Sequence, residues 1–191
     1  MLLFGHTGIT LGLALGWDKG LSRRIPFLQT EKSQRLTAVA SEIDYRLVLL
    51  GSMLPDIIDK PVGVYLFGGT FDNGRIFCHT LLSLLIVLSI GLYRYRRYAV
   101  TGMLALAFGC GTHLIFDEIW NTPRTLFWPI LGASFPGKDL DNYAGLMWDN
   151  LTTKPSAYIP EIVGLIVLIP IAYRLLRSRR VMSFLKSGVI K

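Results

Sequence analysis

Apolar residues in this chain gather into five runs separated by charged links, at residues 1–17, 47–67, 76–93, 98–120 and 158–176. Their lengths lie close to the roughly 20 residues an α-helix needs to cross the hydrocarbon of a bilayer. The pattern predicts an all-α, polytopic helical membrane protein, a single domain over residues 1–191 with about five membrane helices. The second run, LVLLGSMLPDIIDKPVGVYLF, is apolar at both ends but holds Pro55, Asp56, Asp59, Lys60 and Pro61 in its middle. Lipid offers no water to satisfy freed backbone groups, so this interruption predicts a broken helix 2 whose backbone lines a polar cavity. The fourth run carries no charge until Asp117, one helical turn beyond His113. The fifth opens with Pro160 and closes on Arg174, Arg177, Arg179 and Arg180. The first lacks the basic start and small-residue cleavage site of a secretory signal, and reads as a short membrane helix rather than a cleaved leader.

The links are uneven. Residues 18–46 are polar and mixed in charge, a loop with room for a helix on the membrane surface. GGTFDNGR is a turn-rich connection, and residues 121–157 form a loop with the bulky aromatics Phe127, Trp128 and Trp148. Within it Asp139-Leu140-Asp141-Asn142 reads as a turn, since the rest of a calcium-loop pattern is missing.

Composition agrees: 51% of residues are hydrophobic and the mean hydropathy is +0.45, above the range of soluble proteins. The net charge of +7 does not indicate nucleic acid, because Lys and Arg sit beside the apolar runs and no nucleic-acid motif is present. The 18–46 loop, the 94–97 turn and the tail from Arg174 hold 15 of the 20 Lys and Arg residues. The opposite side holds the remaining five, Lys60, Arg75, Arg124, Lys138 and Lys154. The positive-inside rule puts the basic side in the cytoplasm, in the cytoplasmic (inner) membrane of a prokaryote, with 121–157 as an outer loop. Cys78 and Cys110 fall inside predicted spans and read as small core residues before they read as a disulfide or metal ligands.

This topology, drawn from charge alone, brings His6, His79, His113, Asp56, Asp59 and Asp117 to the outer ends of four helices, with Glu161 opening the fifth at the same level. Imidazoles and carboxylates in one layer point to a divalent metal, Zn best, with Mn or Fe as alternatives; a purely structural polar network is the competing reading. The donors suffice for one or two ions. Metal would be held by His6, Asp56, Asp59, His79, His113 and Asp117, with Glu161 as a possible extra ligand. Arg75, Arg124 and Lys60 lie on the same side, where they can hold a phosphate or simply meet lipid headgroups.

These residues fall in an ordered set of short motifs: Gly5-His6; Leu54-Pro55-Asp56-Ile57-Ile58-Asp59-Lys60-Pro61; Cys78-His79-Thr80-Leu81; and Gly109 to Asp117, followed by Asn121, Pro123 and Trp128-Pro129. In order and spacing the chain resembles the YdjM-like membrane-bound metal-dependent hydrolases over residues 5–129. It departs twice: Asp56 and Asp59 are three apart rather than two, and Asp72-Asn73-Gly74-Arg75 stands where a further histidine is usual. That family is in turn similar to zinc-dependent phospholipase C and S1/P1-type nucleases, and the resemblance implies phosphoester hydrolysis. The expected substrate is a membrane lipid or lipid-linked phosphoester, with Asp56 or Asp59 as general base; an amide is the enzymatic variant. Two other classes stay open, an ion or metal transporter and a non-catalytic membrane scaffold. Oligomeric state is not legible.

Overall fold

The computed structural model describes residues 2–24, 43–71, 73–137 and 142–190. All regular structure among them is helical: α1 (Leu3–Arg24), α2 (Tyr45–Lys60), a π-helical turn (Pro61–Leu66), α3 (Gly68–Phe71), α4 (Leu81–Tyr98) and α5 (Gly102–Phe116). A 3₁₀ turn (Ile119–Asn121), α6 (Pro123–Leu126), α7 (Tyr143–Thr153), α8 (Pro155–Arg177) and α9 (Val181–Ser187) complete the order. The expected 18–46 loop is helical as far as Arg24 and again from Tyr45, and the 121–157 loop contains α6 and α7. The middle of the former, and Lys138 to Asp141 in the latter, lie outside the described residues.

The break expected in the second run is not a gap. α2 passes through Pro55 and changes to π winding at Pro61. Pro55 donates no hydrogen bond and crowds the carbonyl one turn back, which loosens the ladder without ending it. α4 begins at Leu81, not at residue 76, because Thr80 caps it: Thr80 Oγ1 accepts from the amide of Ser83 at 3.1 Å.

α2 packs most extensively on α5 and α1 on α8, with α4 also on α5 and α1 also on α2. Glycine pairs allow two close helix approaches. A Cβ on Gly8 would strike the carbonyl of Gly164 across α1 and α8, and one on Gly109 would strike that of Val48 across α5 and α2. Backbones that touch through glycine are a device of helices packed in lipid.

Polarity is arranged inside out. Among the described residues, fourteen buried polar or charged residues outnumber ten buried hydrophobic ones. Leu85 and Ile86 of α4 and Ile162 and Ile166 of α8 are 48–65% exposed. Apolar faces of this extent mark a surface that meets something other than water. By length and composition one described helix, α8, can cross a membrane by itself. α5 is apolar but has 15 residues, while α1, α2 and α4 carry charges within their lengths.

Candidate metal centre

Asp56 of α2, His79 of the link before α4, His113 in the last turn of α5 and Asp117 just beyond it are all buried. Each places one ligand atom within 4.8 Å of the others. His79 Nε2 lies 3.2 Å from His113 Nε2 and 3.6 Å from both Asp56 Oδ1 and Asp117 Oδ2. His113 Nε2 lies 3.7 Å from Asp56 Oδ1 and 3.9 Å from Asp117 Oδ2. Ligands around a tetrahedral ion with bonds of about 2.0–2.1 Å stand about 3.3 Å apart. The cluster is slightly wider than that, with the right atoms facing inward.

The far side of each imidazole determines what the near side offers. His113 Nδ1 is 2.7 Å from the carbonyl oxygen of Ser52, which can only accept, so Nδ1 carries the proton. His79 Nδ1 is 2.7 Å from Asp59 Oδ2 and donates in the same way. With both Nδ1 atoms occupied, the two Nε2 atoms face each other and two carboxylate oxygens. Asp56 Oδ1 is buried with no hydrogen-bond partner. Asp117 Oδ2 also meets Arg75 and a shared proton can join the two Nε2 atoms, whereas a divalent ion engages all four atoms at once. The residues present fit a metal, and the carboxylate–histidine arrangement behind His79 is the usual support of a metal-binding imidazole.

Local sequence explains the placement. Ser52 sits on the turn that Pro55 loosens, and the close approach at Gly51 and Gly109 brings α5 near enough for His113 to reach the Ser52 carbonyl. Asp59 accepts from the amides of Ile76, Cys78 and His79 at 2.9–3.1 Å, which folds the link around its carboxylate and delivers His79. Asn73 steadies the same link, accepting from the amide of Arg75 and donating to the carbonyl of Pro136. Trp128 and Phe135 stack on each other and meet Phe77 at 5.2–5.3 Å, so the loop after α6 folds back over the link two residues before His79. At the end of α5, Asp117 is the C-cap and Glu118 turns the chain away with φ 49°.

Not every expected residue joins the cluster. Asp59, expected as a ligand and general base, holds His79 and three amides and presents no oxygen to the four-ligand space. Glu161, expected as an extra ligand, accepts from the amides of Leu2 and Phe4 at 2.7 and 2.8 Å and caps the start of α1. His6 is fully buried, stacks on His113 at 4.1 Å and brings Nε2 to 3.2 Å from Asp117 Oδ1 without hydrogen-bond alignment. Lys60 Nζ is 2.6 Å from Asp56 Oδ2, and Arg75 is 2.8 Å from Asp117 Oδ2. These cations are 27% and 30% exposed against 5% and 4% for their carboxylates, so they form the rim between the cluster and the outside. Arg124 is exposed on α6 and is not among the cations paired with the site's carboxylates. Both cysteines are free. The Ser52 carbonyl and Asn73 were not expected; the Asn-Gly turn points to Asn73, and no local pattern points to the Ser52 carbonyl.

Residues 1–182 match the family model described as YdjM inner membrane protein. No curated protein and no solved structure matches the chain.

Proposed function

Because this chain belongs to the YdjM inner membrane protein family, we propose that it is a membrane-embedded, metal-dependent hydrolase of a lipid or lipid-linked phosphoester. The observation that carries this reading is the convergence of four buried ligand atoms, from Asp56, His79, His113 and Asp117, behind a rim of two cations. In this reading the chain crosses the inner membrane five times with the centre toward the extracytoplasmic side. The 15-to-5 division of basic residues and the apolar outer faces of α4 and α8 support that topology.

Asp56, His79, His113 and Asp117 would hold the ion, Zn best by donor type. When bound, a divalent ion supplies Lewis-acid chemistry, polarising an ester oxygen and acidifying water toward neutrality. The chain does the rest. Asp59 and the Ser52 carbonyl fix the two imidazole planes. Lys60 and Arg75 give a phosphate two charge-assisted donors at the open side. With Asp59 fully engaged, proton acceptance falls to the carboxylates facing the cluster, Asp56 and Asp117. The buried setting excludes bulk water, which strengthens each of these interactions.

The test is metal analysis of the detergent-purified protein together with turnover of a simple phosphodiester. Bound metal and turnover abolished by chelator are expected. A folded protein with neither would end this reading.

A further inference from the structure

We propose a second divalent-cation site beside the first, built on His6 Nε2 and Asp117 Oδ1, with Asp117 bridging the two ions. The inference rests on the metal-dependent reading above and concerns how many ions the centre takes.

The three histidines are not treated alike. His79 and His113 each have Nδ1 anchored to an oxygen at 2.7 Å, which aims Nε2 at the four-ligand space. His6 is as completely buried as they are, yet neither of its nitrogens has a hydrogen-bond partner. An unpartnered imidazole inside a protein calls for a ligand or a function, since buried polar groups are otherwise satisfied. Its nearest polar neighbour is Asp117 Oδ1, at 3.2 Å from Nε2. That distance is close to the roughly 3.3 Å between two donors on one tetrahedral ion, while the alignment is wrong for a hydrogen bond.

Asp117 divides its oxygens. Oδ2 faces His79, His113 and Arg75, and Oδ1 faces His6. A carboxylate used on both edges is suited to join two ions, which in hydrolytic pairs stand about 3.5–4 Å apart. The His6 and His113 rings lie 4.1 Å apart at an interplanar angle of 22°, a spacing that matches two such ions held side by side. The second position has two protein donors against four for the first. With fewer protein donors it should bind the more weakly of the two.

The experiment strips the full-length protein in detergent with a chelator and reloads it with Mn²⁺. Ions per chain are counted by equilibrium dialysis, and spin coupling is read by electron paramagnetic resonance. The wild-type chain is expected to take two ions in two affinity phases, with a coupled spectrum. His6→Ala and the bulkier His6→Gln should each take one, uncoupled, with the tighter phase kept. Saturation of the wild-type chain by a single ion overturns the second site and leaves the hydrolase reading standing. Two ions retained in folded His6→Gln also overturn it, because the second ion would lie elsewhere. No bound ion in the wild type removes the metal-dependent reading itself.

Discussion

Replacing Asp59 by Asn separates the support of the centre from the centre itself. Asp59 is fully buried. Its Oδ2 accepts from Ile76 N at 2.9 Å, His79 N at 3.1 Å and His79 Nδ1 at 2.7 Å, while the amide of Cys78 is 3.0 Å from both oxygens. Every neighbour is a donor, so an asparagine must turn its own NH₂ toward at least one of them. In the milder orientation the amide oxygen takes the place of Oδ2 and all four bonds become neutral. Bonds to a charged acceptor contribute about 1.5–3 kcal/mol and neutral ones about 0.5–1.5, so a loss of about 1 kcal/mol per bond gives roughly 3–4 kcal/mol. The metal-free protein should therefore melt well below wild type. Metal affinity should also fall by about 10–100-fold, as when the outer partner of a metal-bound imidazole is removed. Thermal unfolding in detergent measures the first effect and competition with a chromophoric chelator the second. Asp59→Asn with wild-type melting and wild-type affinity would refute the role assigned here. Complete loss of metal from a well-folded variant would instead make Asp59 a direct ligand.

Three further outcomes are expected. His113→Ala and Asp117→Ala should each remove most of the bound metal, and because His113 Nε2 and Asp117 Oδ2 are 3.9 Å apart the double variant should regain no stability over the singles; a folded His113→Ala protein with full occupancy would contradict the four-ligand centre. Gly109→Ala should destabilise by roughly 1–3 kcal/mol and weaken metal binding, since its Cβ meets the backbone of Val48 and Ser52. Gly16→Ala, with open space around it, should stabilise by roughly 0.5–1 kcal/mol, and equal melting temperatures for the two variants would argue against the close helix contact. Cysteines placed at Lys154 and Ser178, at the two ends of α8, should react with an impermeant thiol reagent from opposite sides of the membrane, and labelling of both from one side would reverse the topology.

The apolar runs made the helical class legible, and among the described residues one of the helices, α8, is long and apolar enough to cross a membrane. The convergence of His79, His113, Asp56 and Asp117 was legible because titratable side chains are few in the apolar runs and these four sit near run ends. Roles within the cluster were harder to read. In sequence, a ligand carboxylate and one that holds a ligand look the same, and Asp59 was separated from Asp56 only by the amides of a non-helical link. Glu161 misled in the same way, since a backbone amide 159 residues away leaves no trace in a local pattern. Pro55 predicted a break where the helix runs on, because one missing amide removes a single bond of the ladder.

Glu161 has a consequence for the order of assembly. A chain made from its N-terminus completes α1 first, while the carboxylate that receives the amides of Leu2 and Phe4 arrives only with α8. Until then the opening turn of α1 has no partner for those two groups, and the Gly8–Gly164 contact that seats the helix does not exist. His6, two residues beyond Phe4, cannot settle against His113 before that moment. The last long helix thus acts as a latch on maturation. A chain halted before Pro155 should keep an N-terminal segment that exchanges its amide hydrogens rapidly, and the full-length protein should protect them.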